Sequence, residues 1–102
     1  MEVIICPSVQ RVGGVAAAKA ARIAGPIGPG VVLGVATGSS PVQTFVELAR
    51  LVDAGELDLS EASAFALDEY VGIAEGHPES YHEIIRKTVT EPMHLDPARV
   101  HV

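Results

Sequence analysis

The sequence has little basic charge, a single cysteine and no long apolar segment. Seven lysine and arginine residues are opposed by 13 aspartate and glutamate residues, and the formal net charge of the 102 residues is -6. Such a chain has no broad attraction to nucleic acid or to an anionic membrane, so we expect neither as a partner. The lone Cys6 has no internal disulfide partner and is expected to be a small buried apolar residue.

The absence of targeting and membrane signals favours a cytoplasmic protein. No apolar run approaches the roughly 18 residues of a membrane helix, and the N-terminus lacks the basic start of a secretory signal. The composition, 48% hydrophobic and 20% charged, predicts one modest globular domain. The four histidines have no metal-ligand spacing with one another or with Cys6, so we expect no zinc or iron site: His77, His82, His94 and His101.

Four short apolar runs predict strands at residues 3–6, 31–35, 64–67 and 99–102. The first helix follows Ser8, and its predicted apolar face carries Val9, Val12, Ala16, Ala20 and Ile23. A glycine- and proline-rich connector at residues 25–30 is expected to end it.

Two further helices lie between the later strands. The second has Pro41 at its first position, capping-box spacing between Ser40 and Gln43, and Gly55 as a left-handed stop. The third begins at Pro78 or Ser80 and ends before Pro92, with one apolar face formed by Tyr81, Ile84, Ile85 and Val89.

This order of elements predicts an α/β protein with a parallel sheet and helices on both faces. The β-α-β-α-β-α-β succession is Rossmann-like, because right-handed crossovers place consecutive strands parallel. The last predicted strand has no following helix to cover it. We therefore interpret residues 1–102 as the N-terminal part of a single larger α/β domain.

A hydroxyl-rich loop follows the second predicted strand. Thr37, Gly38, Ser39 and Ser40 combine hydroxyl donors, a glycine and the free amides of a helix start, features that favour binding of a phosphate group. The alternative is that the serines only cap a helix. The loop matches neither the lysine-bearing phosphate loop nor the three-glycine dinucleotide fingerprint, so we expect a small phosphorylated molecule and no ATP or NAD.

An adjacent carboxylate pair, Asp68 and Glu69, follows the third predicted strand. Neighbouring side chains in an extended segment point to opposite sides, so the two should have different roles. A carboxylate at the end of a buried strand can be partly desolvated and act as a base, although loop solvation or helix capping would also explain the pair. Because both loops follow parallel strands, they should open on the same side of the sheet.

These segments together resemble the glucosamine-6-phosphate deaminase family. The resemblance spans essentially the whole chain and depends on residues 34–41, 67–72 and 77–81. Its most specific part is the Asp-Glu-Tyr-Val-Gly sequence from Asp68 with the His-Pro-Glu-Ser-Tyr sequence from His77. Related 6-phosphogluconolactonases usually have Asp-Glu-Arg at the first of these, so Tyr70 favours the deaminase.

The resemblance implies conversion of glucosamine 6-phosphate and water to fructose 6-phosphate and ammonia, without metal or organic cofactor. Asp68 matches the base that moves a proton from C2 to C1. Residues 37–40 match the loop that holds the 6-phosphate, and Glu69 and Tyr81 are expected to support the site. Ala36 stands where family members often have proline. Homo-oligomers are common in the family, so self-association is also expected.

Family members are more than twice as long as this chain. Their ring-opening histidine and phosphate-clamping basic residues lie beyond the matched part, so we expect the 102-residue chain alone to be inactive or nearly so. A 6-phosphogluconolactonase-type hydrolase, a non-catalytic sugar-phosphate sensor and a non-functional remnant are the alternatives.

Overall fold

The fold consists of a three-stranded parallel sheet and three helices. The computed structural model describes all 102 residues. The elements in chain order are α1 Val9–Ile27, β1 Val32–Val35, α2 Val42–Asp53, β2 Ser63–Ala66, α3 Tyr81–Ile85 and β3 Val100–His101. Wider π-type turns over Arg86–Thr90 continue α3, and 3-10 turns at Gly28–Gly30 and Pro97–Arg99 precede β1 and β3. The predicted α/β class with parallel strands is confirmed.

The strand order is β1-β2-β3, so β2 is central and pairs with a parallel strand on each side. Val35 is the last residue of β1 and pairs with Ala66, the last residue of β2. On the other side of β2, Phe65 pairs with His101. All three strands therefore end at the same edge of the sheet.

Residues 3–6, predicted as the first strand, do not join the sheet. Ile4 and Cys6 lie in a shallow cleft against α1, where Glu2 also forms an ion pair with Lys19. β-Branched composition favours an extended backbone, but a strand also needs a neighbouring strand to pair with, and this segment packs along a helix instead. The sheet has three strands rather than four, and Cys6 is half-buried rather than buried.

Helix α1 begins as predicted and ends later than predicted. The Ser8 hydroxyl accepts a hydrogen bond from the Arg11 amide at 3.1 Å, which caps the helix. The helix then continues through Pro26 to Ile27, although a connector was expected from residue 25. A proline in the last turn removes only one hydrogen bond at an exposed helix end, and Gly28, with φ of 67°, ends the helix.

Only part of the predicted apolar face of α1 meets the core, where Ala20 packs against it. Val9, Val12 and Ile23 are exposed, and the residues that are buried are Gly13, Ala17 and Ala24. The small side chains allow α1 to pack closely on α2. A Cβ atom at Gly13 would lie 2.6 Å from the carbonyl carbon of Gln43, so only glycine fits at this crossing.

Helix α2 lacks the predicted capping box. It begins at Val42, with Pro41 in the capping position, so Ser40 lies outside the helix and makes no capping hydrogen bond with Gln43. The predicted stop is confirmed, since Gly55 has a φ of 75° just beyond the helix end.

Helix α3 begins after Ser80, the second of the two predicted starting positions. The Ser80 hydroxyl accepts a hydrogen bond from the Glu83 amide at 3.1 Å, and Ser80 itself is fully buried. Ile85 and Val89 are fully buried, as the predicted face requires, and the helical turns end at Thr90, before Pro92.

A single core lies on one face of the sheet, between the strands and the three helices. It is formed by 14 buried apolar residues: Ala17, Ala24, Val31, Val35, Phe45, Leu48, Leu57, Leu59, Ala62, Ala64, Ile85, Val89, Met93 and Leu95. The opposite face is exposed, including Val32 and Phe65, so the prediction of helices on both faces is wrong. Local periodicity predicts helices but does not determine which side of a sheet each one covers. No helix has both the length and the apolar character needed to cross a membrane.

Candidate functional site

Two polar loops leave neighbouring parallel strands at the same edge of the sheet. Thr37 lies two residues after Val35 of β1, and Asp68 lies two residues after Ala66 of β2, where Val35 and Ala66 are paired. The two loops therefore lie on the same side of the sheet, as predicted. Because β2 is central, Asp68 stands between the hydroxyl-rich loop and the end of β3.

The loop formed by residues 37–40, called the hydroxyl loop below, has free hydrogen-bond donors. Gly38 has a φ of 97°, a conformation that glycine adopts without strain. The hydroxyl groups of Thr37, Ser39 and Ser40 make no hydrogen bond within the chain, and neither do the backbone amides of the loop. The loop leads directly into the 12-residue helix α2, so its donors and the helix dipole favour an anion at the same place.

Asp68 is exposed, and its carboxylate makes no hydrogen bond within the chain. The desolvation expected at the end of a buried strand is not observed. Leu67, the preceding residue in the chain, is exposed as well. Asp68 is therefore free to meet a ligand, but this chain does not shield it from water.

Glu69 points the other way and binds the start of α3. Its Oε1 accepts hydrogen bonds from the amides of Tyr70 and Tyr81, and its Oε2 accepts one from the amide of His82, each at 2.9 Å. Partial burial acts to raise the pKa of Glu69, but the three amide donors and the nearby His82 outweigh it, so the pKa lies below its usual value. Glu69 thus anchors the loop after β2 to α3.

The segment before α3 is held by hydrogen bonds that sequence reasoning did not identify. The Ser80 hydroxyl donates to the carbonyl oxygen of Glu75 at 2.8 Å while it caps α3. Nδ1 of His77 accepts from the Glu79 amide at 3.0 Å, and the carbonyl oxygen of His77 accepts from the Ser80 amide at 2.9 Å. The capping spacing from Ser80 to Glu83 was the only signal of this arrangement in the sequence.

The aromatic rings of Tyr70 and Tyr81 pack against each other with an angle of 43° between their planes, next to the carboxylate pair. Their ring centroids are 4.7 Å apart, and their hydroxyl oxygens are 3.2 Å apart and share a hydrogen bond. This hydrogen bond raises the pKa of Tyr70, and the nearby Tyr81, partial burial and the Glu79 and Asp68 carboxylates act in the same direction. Tyr81, predicted as a supporting residue, thus contacts the Asp-Glu-Tyr loop through its amide and through its ring.

The four histidines are spread over the molecule. His82 binds Glu75 through Nε2 at 2.9 Å, while His94 binds Asp53 at 3.1 Å. His101 stacks on Phe65 on the open sheet face. With His77 in the turn before α3, no three metal-ligating side chains come together in a geometry suited to a metal ion.

Four of the seven basic side chains have partners within the chain and make no hydrogen bond to the hydroxyl loop. Lys19 pairs with Glu2, and Arg50 pairs with Glu47 within α2. Arg86 binds Glu83 and Glu91, and Arg99 donates to the carbonyl oxygen of Glu61. The loop therefore offers neutral donors and a helix terminus, without a cation from this set.

Known proteins similar to this chain are glucosamine-6-phosphate deaminases. No protein-family model matches it. The deaminase of Cutibacterium acnes is 50% identical over 101 residues, which cover 99% of this chain and 38% of that protein. The deaminase of Bifidobacterium longum is 54% identical over 74 residues, 72% of this chain and 27% of that protein.

A solved structure gives the same result for the fold. It is that of a monomeric glucosamine-6-phosphate deaminase of the NagB superfamily, with a TM-score of 0.88 and 30% sequence identity. The match covers 98% of this chain and 41% of the solved chain. The chain thus matches relatives over almost its whole length but spans only about 38% of theirs. It is a homologue of the glucosamine-6-phosphate deaminases and corresponds to their N-terminal portion.

Proposed function

We propose that this chain carries the phosphate-binding loop and the proton-transfer base of a glucosamine-6-phosphate deaminase. The reaction converts glucosamine 6-phosphate and water to fructose 6-phosphate and ammonia. The observation that carries the proposal is the placement of the hydroxyl loop and Asp68 at paired positions of neighbouring strands. The homology to deaminases over the whole chain supports the same reaction.

The hydroxyl loop binds the 6-phosphate of the sugar. Its unpaired amides and hydroxyls surround the start of α2, and phosphate oxygens accept hydrogen bonds from such donors. The helix dipole adds only about 0.3–1 kcal/mol, so tight binding also needs a cation from outside this loop. A phosphate fixed there places the other end of the open-chain sugar toward the neighbouring loop.

Asp68 is the base that removes the proton from C2 and returns it at C1. Removal of the C2 proton gives an enolamine, and return of the proton at C1 gives an imine at C2. Water then adds to the imine carbon, and the nitrogen leaves as ammonia. An exposed carboxylate is a weak base toward a carbon-bound proton, and exclusion of water would make it stronger. The exposure of Asp68 therefore supports low or no turnover by this chain alone.

Glu69 and Tyr81 position Asp68 rather than transfer protons. Glu69 already accepts three hydrogen bonds and holds the loop against α3, and Tyr81 packs on the adjacent Tyr70. The proton transfers require no metal or organic cofactor. We assign ring opening to none of the four histidines of this chain.

A chimeric enzyme tests the proposed function directly. This chain replaces the matching 101 residues of the Cutibacterium acnes deaminase, to which it is 50% identical, and ammonia release from glucosamine 6-phosphate is measured. We expect turnover by the chimera and none by the 102-residue chain alone. Asp68→Asn in the chimera should abolish deuterium exchange at C2 while sugar-phosphate binding remains.

Three results would contradict this account. A folded chimera without turnover would show that this chain does not support the deaminase reaction. Hydrolysis of 6-phosphogluconolactone by the chimera would favour the lactonase. Normal C2 exchange in the Asp68→Asn chimera would show that another group is the base.

A further inference from the structure

The loop between β2 and α3 is bound to the start of α3 by side chains. Residues 70–79, called the β2–α3 loop below, follow the carboxylate pair directly. Just before this loop, Glu69 accepts hydrogen bonds from the amides of Tyr81 and His82. In the middle of the loop, the carboxylate of Glu75 contacts Nε2 of His82 at 2.9 Å. The beginning and the middle of the loop are therefore both held by the first turn of α3.

His82 makes one of these contacts through its backbone and another through its ring. Its amide donates to Oε2 of Glu69 at 2.9 Å, and its Nε2 contacts Oε1 of Glu75 at 2.9 Å. Its Nδ1 is buried and has no hydrogen-bond partner within the chain. A proton on Nδ1 would leave a buried N–H group unpaired, so the proton is on Nε2, which donates to Glu75. One residue thus sets the spacing between Glu69 and Glu75.

The β2–α3 loop borders Asp68 on the side away from the hydroxyl loop. β2 lies between β1 and β3, and the hydroxyl loop follows β1. The β2–α3 loop lies instead near the end of β3, where Glu75 and His82 line a cleft together with residues 100–102. Asp68, just beyond the end of β2, therefore has the hydroxyl loop on one side and the β2–α3 loop on the other.

We propose that His82 is a positioning residue for Asp68 in the deaminase reaction, acting through Glu75 and the β2–α3 loop. The inference rests on the proposed function. A sugar held by its phosphate in the hydroxyl loop extends toward Asp68, so that its C1 and C2 atoms lie between Asp68 and the β2–α3 loop. Proton transfer at carbon depends steeply on the geometry of base and substrate, whereas phosphate binding uses the donors of the hydroxyl loop. His82 should therefore affect the chemical step and leave binding of the sugar phosphate unchanged.

The contact between His82 and Glu75 contributes little to the stability of the fold. The side chain of Glu75 is 77% exposed and that of His82 37%, and exposed pairs of this kind add little to the free energy of unfolding. The backbone of Glu75 is held separately, because its carbonyl oxygen accepts a hydrogen bond from the Ser80 hydroxyl at 2.8 Å. Loss of the ring contact should therefore change the placement of the loop without unfolding the chain.

Two substitutions of His82 separate positioning from general stabilisation. His82→Phe keeps a ring in the same place and removes the donor, whereas His82→Gln keeps an N–H group near the position of Nε2. Both are made in the chimera with the Cutibacterium acnes deaminase, and C2 deuterium exchange and ammonia release are measured. We expect kcat of His82→Phe to fall about three- to fivefold, the size of effect that an exposed pair can have, with unchanged KM and thermal midpoint. His82→Gln should restore kcat.

Other outcomes of these measurements would overturn the role of His82. An unchanged kcat in His82→Phe would show that the ring contact does not position the base. A thermal midpoint that falls together with kcat, in His82→Phe and His82→Gln alike, would show that His82 only stabilises the fold.

Substitution of the carboxylate partner provides a matched control. Glu75→Ala should reproduce the loss of kcat, and combining it with His82→Phe should cause no further loss, because both changes break the same contact. Asp53→Ala removes the carboxylate from His94, in an exposed contact at the far end of α2, and should leave kcat unchanged. Additive losses in the double variant, or an equal loss in Asp53→Ala, would count decisively against the proposal.

Hydrogen exchange in the 102-residue chain separates this inference from the proposed function. The amides of Ile73 and His77 form hydrogen bonds within the β2–α3 loop, and His82→Phe should speed their exchange about three- to fivefold. Unchanged exchange would overturn the role of His82, whether or not the chimera is active. Faster exchange together with an inactive wild-type chimera would support the attachment of the loop by His82 and contradict the deaminase reaction.

Discussion

Glu69 links two segments of the candidate site through its carboxylate. Its carboxylate accepts hydrogen bonds from three backbone amides, which belong to two segments 11 residues apart in the chain. The carboxylate of the neighbouring Asp68 makes no hydrogen bond. The two adjacent carboxylates thus differ in environment. One is engaged in holding the loop, and the other is free to meet a ligand.

Substitution of Glu69 should loosen the start of α3. In Glu69→Gln, a side-chain NH2 group replaces one of the two carboxylate oxygens. This group cannot accept a hydrogen bond from a backbone N–H, so at least one of the three hydrogen bonds is lost. We expect a lower thermal midpoint and faster hydrogen exchange at the amides of Tyr81 and His82. Glu79→Gln is the control, because the exposed Glu79 side chain makes no hydrogen bond. Equal exchange rates in the two variants would contradict the anchoring role.

The effect of Glu69 should also depend on pH. Because folding lowers its pKa, the stabilisation is fully present above the pKa of the unfolded chain, near 4.5, and is lost as the pH falls toward the folded value. The difference in thermal midpoint between wild type and Glu69→Gln should therefore be constant above about pH 6 and shrink below the unfolded pKa. A difference that stays constant down to pH 3 would be inconsistent with this linkage.

At the scale of elements, the crossing of α1 and α2 sets the position of the hydroxyl loop. Gly13 touches the first turn of α2 at Gln43, and that turn continues the loop. Gly14, the next residue, has nothing within 4 Å of the position of a Cβ atom. Two adjacent glycines in one helix therefore have different roles.

Alanine substitutions at these glycines should have opposite effects on stability. Gly13→Ala forces the helices apart and should lower the free energy of unfolding by about 1–3 kcal/mol. Gly14→Ala removes only the poor helix propensity of glycine and should raise it by about 0.5–1 kcal/mol. Urea denaturation measures both, and a stabilised Gly13→Ala variant would show that the crossing is not tight.

Sequence patterns predicted where helices and strands begin and end better than they predicted how these elements pack together. The helix stop at Gly55 was correct, and the start of α3 lies at Ser80, one of the two predicted positions, because both features depend on residues that are neighbours in the chain. The strand predicted at residues 3–6 was wrong, because pairing depends on a distant partner. The buried face of α1 was predicted only in part, because its small residues are buried while Val9, Val12 and Ile23 are exposed.

The candidate site shows the same division. Parallel strands fix where their loops emerge, so the common side of the hydroxyl loop and Asp68 could be predicted from the order of elements. The hydrogen bonds of Glu69 to the start of α3 could not, because they join residues 12 and 13 positions apart through the tertiary fold. The exposure of Asp68 could not be predicted either, because it depends on which other segments of the fold pack beside the end of β2.

At the scale of the whole molecule, the chain is a folded unit with a one-sided core. Fourteen apolar residues are buried on one face of the sheet, while Val32, Phe65 and Leu67 remain exposed on the other. The hydroxyl loop and Asp68 lie at the edge between these two sides. The unpaired donors of the hydroxyl loop are therefore accessible to a ligand in the folded unit.

The most direct test of this account is an NMR titration of the 102-residue chain with glucosamine 6-phosphate. We predict saturable shifts at the amides of residues 37–40, weak affinity, and no comparable shifts with glucosamine, which lacks the phosphate. Gly38→Ala should weaken binding, whereas Gly55→Ala, which strains an equally left-handed glycine at the far end of α2, should not. Unchanged loop amides at saturating sugar phosphate, or shifts confined to another surface, would contradict the account.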